Sequence, residues 1–178
     1  MMRTRYRMKG PPLITNYTLG LDFGTNSVRA LIVDTSNGQE IGSGIWNYER
    51  GEQGVLLSRD PNLARQHPAD YIRGAEISIR EALKDAGRTQ RAFRSEQVVG
   101  LGVDTTGSTP LPVDIDGAPL AFQKRFSNHL AAMAWLWKDH TSVQEAAEIT
   151  ERARKLRPQY LAKCGGAYSS EWFFSKMY

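Results

Sequence analysis

Cysteine is nearly absent from this sequence: Cys164 is the only one in 178 residues. A lone thiol excludes a disulfide framework and a cysteine-built metal cluster. Cys164 reads as a small packed side chain rather than a nucleophile. Histidine is scarce too: His67 and His129 have no partner set around them in the sequence, and His140, after Lys138 and Asp139, invites a reading as a base that is not adopted. Long apolar runs are missing. Nothing approaches the roughly 20 residues needed to cross a bilayer, and no apolar segment of signal-peptide length follows the basic start. A cytoplasmic location is the default expectation. Acids are absent from the first ten residues, where Arg3, Arg5, Arg7 and Lys9 carry charge equal to the whole net +4. Residues 1–16 read as a basic, loosely attached arm, interrupted by Pro11 and Pro12. Without interleaved aromatics or a reading helix, the arm makes no case for nucleic-acid binding.

What is present is enough for one domain with a real core and too little for two. The chain is organised around residues 19–34, LGLDFGTNSVRALIVD. An apolar strand ends in Asp22, a small hydroxyl-rich turn follows, and a second apolar strand leaves it. Gly24 supplies backbone freedom. Thr25, Asn26 and Ser27 offer hydroxyls, an amide and successive N–H groups, a combination able to cradle phosphate oxygens. Asp22 stands at a strand end, where a carboxylate can hold a metal through water. An ordinary hairpin would read the same way.

Residues 17–23, 28–34 and 40–48 predict three antiparallel strands. Residues 50–68 predict a long loop that ends at a helix entrance, Gln66-His67-Pro68. Ile72, Ala75, Ile79, Leu83 and Ala86 recur at helical spacing and predict a helix over 68–86, stopped by Gly87. A buried-type strand follows at 98–103, parallel to the first, and ends at Asp104. Residues 111–115 predict a short strand before an Asp116-Gly117 turn. Residues 128–138 and 143–157 predict two helices, the second with Val143, Ala146, Ala147, Thr150 and Ala153 inward and ended by Pro158. A last helix with Trp172, Phe173 and Met177 is capped by Ser169 or Ser170. LGLDFGTNS and LGVDTTGST echo one another at residues 19–27 and 101–109. Both strand ends belong on one edge of the sheet, flanking one cleft.

DFGTNSVRALIVD resembles the first phosphate-binding hairpin of the FGGY carbohydrate kinases. GVDTTGSTPLPVD, WLWKDHT and GGAYSSEWFFSK resemble the ribulokinase, or pentulose-kinase, branch of that family. The resemblance covers nearly everything from Tyr17 onward. It implies an α/β fold of the ribonuclease H-like, actin-like ATPase group, as an incomplete N-terminal sugar-kinase domain over residues 17–178. It implies Gly24, Thr25, Asn26 and Ser27 facing the ATP phosphates, Arg29 in the family's basic position and Asp22 positioning Mg²⁺. Gly107 matches the point where the loop backbone nears the sugar, and Lys138 matches a sugar-contacting lysine. Asp104 either orients that loop or caps it. The branch phosphorylates the 5-hydroxyl of ribulose with Mg-ATP, so ribulose or a related ketopentose and ATP are the implied partners. The family's aspartate base falls beyond Tyr178, as does the domain that clasps the nucleotide. The chain alone is therefore expected to be inactive, with apolar surface near Trp172 and Phe173. It should self-associate or be completed by a C-terminal portion. A noncatalytic sugar- or phosphate-binding module and an actin-like structural or regulatory protein are the alternative classes.

Overall fold

Alternation of buried and exposed residues makes β1 (Tyr17–Phe23), β2 (Ser27–Asp34) and β3 (Glu40–Asn47) a meander. The computed structural model describes residues 15–178, so all but the last two residues of the expected basic arm lie outside the described residues. Those two are tied down. The Thr15 carbonyl accepts from Gln97 Nε2 at 2.9 Å, and the Asn16 carbonyl accepts from the Thr35 amide at 3.1 Å. After β3 come the two-residue β4 (Arg65–Gln66), α1 (Pro68–Thr89) and β5 (Val98–Thr105). The sheet order is β3-β2-β1-β5, with β5 parallel to β1, as the strand–helix–strand pattern predicts.

Small residues decide how α1 sits. Its fully buried positions are Pro68, Asp70, Gly74, Ser78, Ala82 and Ala86. A Cβ at Gly42 would lie 2.4 Å from the Ala82 carbonyl oxygen, and one at Gly44 would lie 2.2 Å from that of Ser78. The helix therefore lies almost on the backbone of β3, and its small residues, not its largest, face inward. This corrects the expected inner stripe: Ile72 is exposed, while Ile79 and Leu83 pack at the flank of the core. Gly87 does not stop the helix either. It continues to Thr89, and the Gln90 amide still donates to the Ala86 carbonyl.

β5 is not a buried strand. Val99, Leu101 and Val103 are each more than half exposed, because α1 covers β2 and β3 and leaves the β5 side of the sheet open.

The second half departs furthest from helical expectation. Residues 128–138 form a 3-10 turn, Leu130–Ala132, and then β6 (Ala134–Trp135), which pairs antiparallel with β4. Their amides take distant carbonyls in place of helical ones: Trp135 donates to Pro110, and Leu136 to Ala64. Residues 111–115 form no strand beyond a bridge from Val113 to Pro119, since Pro112 lacks an N–H. The expected turn after them is present, with Gly117 at φ +81°. α2 (Val143–Leu156) buries only Ala146, and Val143 and Ala147 are exposed. Pro158 opens α3 (Pro158–Lys163) as well as closing α2. The last helix, α4 (Phe173–Met177), starts after Trp172 without a serine cap. Apolar surface is exposed there at Phe173, Phe174 and Met177.

Candidate functional site

The two echoing strand ends meet. In the parallel register Asp22 stands beside Asp104 and Phe23 beside Thr105, and the Thr106 amide donates to the Phe23 carbonyl at 3.2 Å. The turn at 24–27 and the loop at 105–109 therefore leave the same edge of the sheet. One cavity of about 290 Å³ lies at this edge between Phe23, Tyr71, Thr106 and Leu111. A cleft of about 540 Å³ lies on the sheet face and includes Asp22, Arg29 and Asp104 in its lining.

On the phosphate side, the Gly24 amide donates to the Ser27 carbonyl at 2.9 Å, and the Tyr48 amide donates to the Asn26 carbonyl at 2.9 Å. Gly24 does not adopt positive φ, so the turn does not use the backbone freedom expected of it. Among the described residues, the Thr25 and Asn26 amides have no acceptor, which leaves both N–H groups for an anion. The Asn26 side chain donates to the Gln53 carbonyl at 2.7 Å. Ser27 is buried at the start of β2. Arg29 faces Asp22 across the β1–β2 pair, with the guanidinium 3.3 Å from the carboxylate. Asp22 is half exposed, so its carboxylate can reach a hydrated cation while Arg29 balances its charge. The described residues hold no group of three metal-ligating side chains.

On the other side, Asp104 Oδ1 accepts from the Thr105 amide at 2.9 Å, which makes it a cap of its own loop. Gly107 opens onto free space, and a Cβ there would meet nothing within 4 Å. Ser108, next to it, is held at φ +53°. Lys138 is exposed. The built-in lysine of this region is Lys176, which is buried and donates to the carbonyls of Ser108, Leu136 and Trp137 at 2.9, 2.7 and 3.1 Å. Burial, with help from the nearby Arg65 charge, lowers its pKa to about 8. His140 is engaged in structure: Nδ1 lies 2.8 Å from Ser170 Oγ and Nε2 lies 3.5 Å from Glu171.

Four residues of this region escape a reading of local pattern. Asp139 is fully buried and pairs with Arg65, while its second oxygen accepts from Thr141. Gln66 and Trp137 both reach Thr25, and Lys176 joins the loop to the Trp137 segment. Trp137, Asp139 and Lys176 do fall within the motifs WLWKDHT and GGAYSSEWFFSK, a signal that Gln66 and its helix entrance lack.

No family model matches the chain. Among curated proteins it is 44% identical over 161 residues to a ribulokinase of Vibrio parahaemolyticus, covering 90% of this chain and 28% of that protein. It is 37% identical over 172 residues to a ribulokinase of Mycolicibacterium smegmatis, covering 93% and 30%. The chain thus spans under a third of the length of these relatives. In fold it is similar to a sugar kinase from Brucella ovis, with a TM-score of 0.63 at 21% identity, over 88% of this chain and 27% of that one. It is likewise similar to a xylulose kinase from Bifidobacterium adolescentis, with a TM-score of 0.60 at 17% identity, over 92% and 29%. The fold is that of sugar kinases, and by sequence likeness the chain belongs to the FGGY carbohydrate kinases as an N-terminal part similar to ribulokinase.

Proposed function

We propose that this chain supplies the phosphate-binding turn and the sugar-facing loop of an ATP-dependent ribulose kinase. The observation that carries this reading is the adjacency of two strand–acid–hydroxyl motifs, Asp22 to Ser27 and Asp104 to Thr109, on one sheet edge. The reaction would move the γ-phosphoryl group of Mg-ATP to the 5-hydroxyl of ribulose, with ADP leaving and the hydroxyl proton passing to a base. In this reading the Thr25 and Asn26 amides meet phosphate oxygens, and Asp22 meets the hydrated Mg²⁺. Arg29 tempers the Asp22 charge. Asp104 and Gly107 shape the sugar loop, and Lys138 reaches a sugar hydroxyl. The bound metal would neutralise charge developing on the phosphates.

No described side chain serves as the base. Lys138 as an ammonium accepts no proton, His140 is tied to Ser170 and Glu171, and Asp22 belongs to the metal. Phosphoryl transfer depends on holding nucleophile, base and phosphate together away from water. The chain by itself should therefore bind without enzyme-like turnover.

The test is a titration of the purified chain with Mg-ATP and with ribulose, beside a coupled ADP-release assay and an Asp22→Ala control. Binding of both ligands, with Mg-ATP weakened in D22A and turnover below roughly 1 per second, is the expected outcome. Faster turnover that vanishes in D22A would show that a second copy or a discounted group such as His140 completes the site. Failure of both ligands to bind would sink the reading.

A further inference from the structure

Thr25 is gripped from two sides by residues 41 and 112 positions away in the chain. Gln66 Nε2 donates to the Thr25 carbonyl at 2.6 Å, and Trp137 Nε1 donates to Thr25 Oγ1 at 3.0 Å. Building on the reading above, we propose that Gln66 and Trp137 are positioning residues that hold the turn in shape and aim the Thr25 hydroxyl proton at a nucleotide phosphate.

The turn has little to shape it from within. None of its residues has positive φ, and its closure rests on the Gly24–Ser27 hydrogen bond and the Tyr48–Asn26 bond behind it. The outside grip supplies the rest. Gln66 is almost wholly buried, and β4 fixes its backbone against Ala134 of β6. The Thr25 carbonyl can only accept, so the amide nitrogen of Gln66 must face it and Oε1 must face away. There the Tyr71 hydroxyl donates to Oε1 at 2.6 Å. Burial pushes the Tyr71 phenol pKa up, which keeps that donor protonated. The amide is thus locked in one orientation.

The Trp137 contact has a chemical consequence. An indole N–H is a donor only, so Thr25 Oγ1 must accept from it. The Thr25 O–H is then free for another acceptor, as are the neighbouring Thr25 and Asn26 amides. A phosphate oxygen is the acceptor that completes this set of three donors. The β4–β6 ribbon, which carries Gln66 and runs on into Trp137, is itself anchored. The Arg65 guanidinium stacks on the Trp135 ring at 3.6 Å and pairs with Asp139, and the Lys176 ammonium holds the Trp137 carbonyl. Trp137 sits beside Lys138, so the clamp also joins the sugar-facing segment to the phosphate-facing turn.

The test uses the full chain, isotope-labelled for NMR, with Gln66→Leu and Trp137→Phe variants and Mg-ATP as the probe. Trp137 is 40% exposed, so W137F should keep the fold even where Q66L does not. Two readouts are needed: hydrogen exchange of the Gly24 and Tyr48 amides without ligand, and the Mg-ATP affinity read from the amides of 24–27. Exchange should rise about tenfold in Q66L, with Mg-ATP affinity falling about tenfold in Q66L and about threefold in W137F, as expected for one hydrogen bond each. Ribulose affinity in Q66L should stay within about twofold. Variants that bind Mg-ATP like the parent overturn the proposal and leave the phosphate reading intact, even if they melt earlier. Parent amides at 24–27 that ignore Mg-ATP remove the phosphate reading. Raised exchange in Q66L would in that case leave Gln66 a purely structural clamp, and the aiming role is overturned.

Discussion

Lys176, in the last helix of the chain, donates from its ammonium to the carbonyl of Ser108, a non-glycine residue held at φ +53°. A left-handed backbone at such a residue costs about 1 kcal/mol. The lysine stabilises that geometry, and its other two protons satisfy the Leu136 and Trp137 carbonyls. The conformation of the loop bearing Gly107 is therefore set by a residue 68 positions away.

The lowered pKa of Lys176, about 8 against an ordinary 10.5, gives a signed pH dependence. Between these values the unfolded chain holds the proton and the folded chain does not, so stability rises with pH across that window. Below about 8 both states hold it, and the burial cost is constant. Urea denaturation of the parent and Lys176→Met should show a stability difference that is flat below pH 7 and shifts in favour of the parent from pH 8 to 10. A difference that stays flat throughout would contradict the assignment.

The close approach of α1 to β3 predicts an asymmetric glycine scan. Gly42→Ala and Gly44→Ala should each cost about 1–3 kcal/mol, because the new methyl meets helix backbone. Gly87→Ala, in the open last turn of α1, should instead gain about 0.5–1 kcal/mol. Denaturant midpoints at constant m-value measure all three.

Asp139 accepts from the Ala64 amide at 2.7 Å and from the part-buried Thr141 while pairing with Arg65, and Ala64, Arg65 and Asp139 are all buried. Asp139→Ala leaves a buried guanidinium and two amides without their acceptor. The expected loss is about 3 kcal/mol or more. It should appear both as a lower midpoint and as faster exchange of the Ala64 amide.

The free edge and open face of β5, with Val99, Leu101 and Val103 exposed, predict concentration-dependent association. A Leu101→Lys variant should shift light scattering toward monomer while leaving the denaturation midpoint within about 0.5 kcal/mol of the parent. An unchanged oligomer distribution would direct attention to the Phe173–Phe174 surface instead.

Sequence alone determined the parts of this protein that depend on neighbours in the chain. Period-two alternation around Asp22 specified the hairpin, and Pro68 marked the start of α1. The repeated strand–acid–hydroxyl pattern put Asp22 and Asp104 on one sheet edge, and the quoted motifs pointed to the kinase family. Tertiary structure decided whatever depends on a partner distant in sequence. Ile72 has the right spacing to face inward, yet Gly42 and Gly44 draw the helix so close that only Gly74, Ser78, Ala82 and Ala86 fit. Residues 128–138 have helical periodicity, but Pro110 and Ala64 offer their carbonyls to Trp135 and Leu136, and an extended segment satisfies those bonds where a helix would not. β5 reads as a core strand because apolar content reports the capacity to be buried, and burial itself needs a covering layer. The contacts of Gln66, Trp137 and Lys176 are not legible locally, because a hydrogen bond across 41, 112 or 68 residues exists only once the chain has folded.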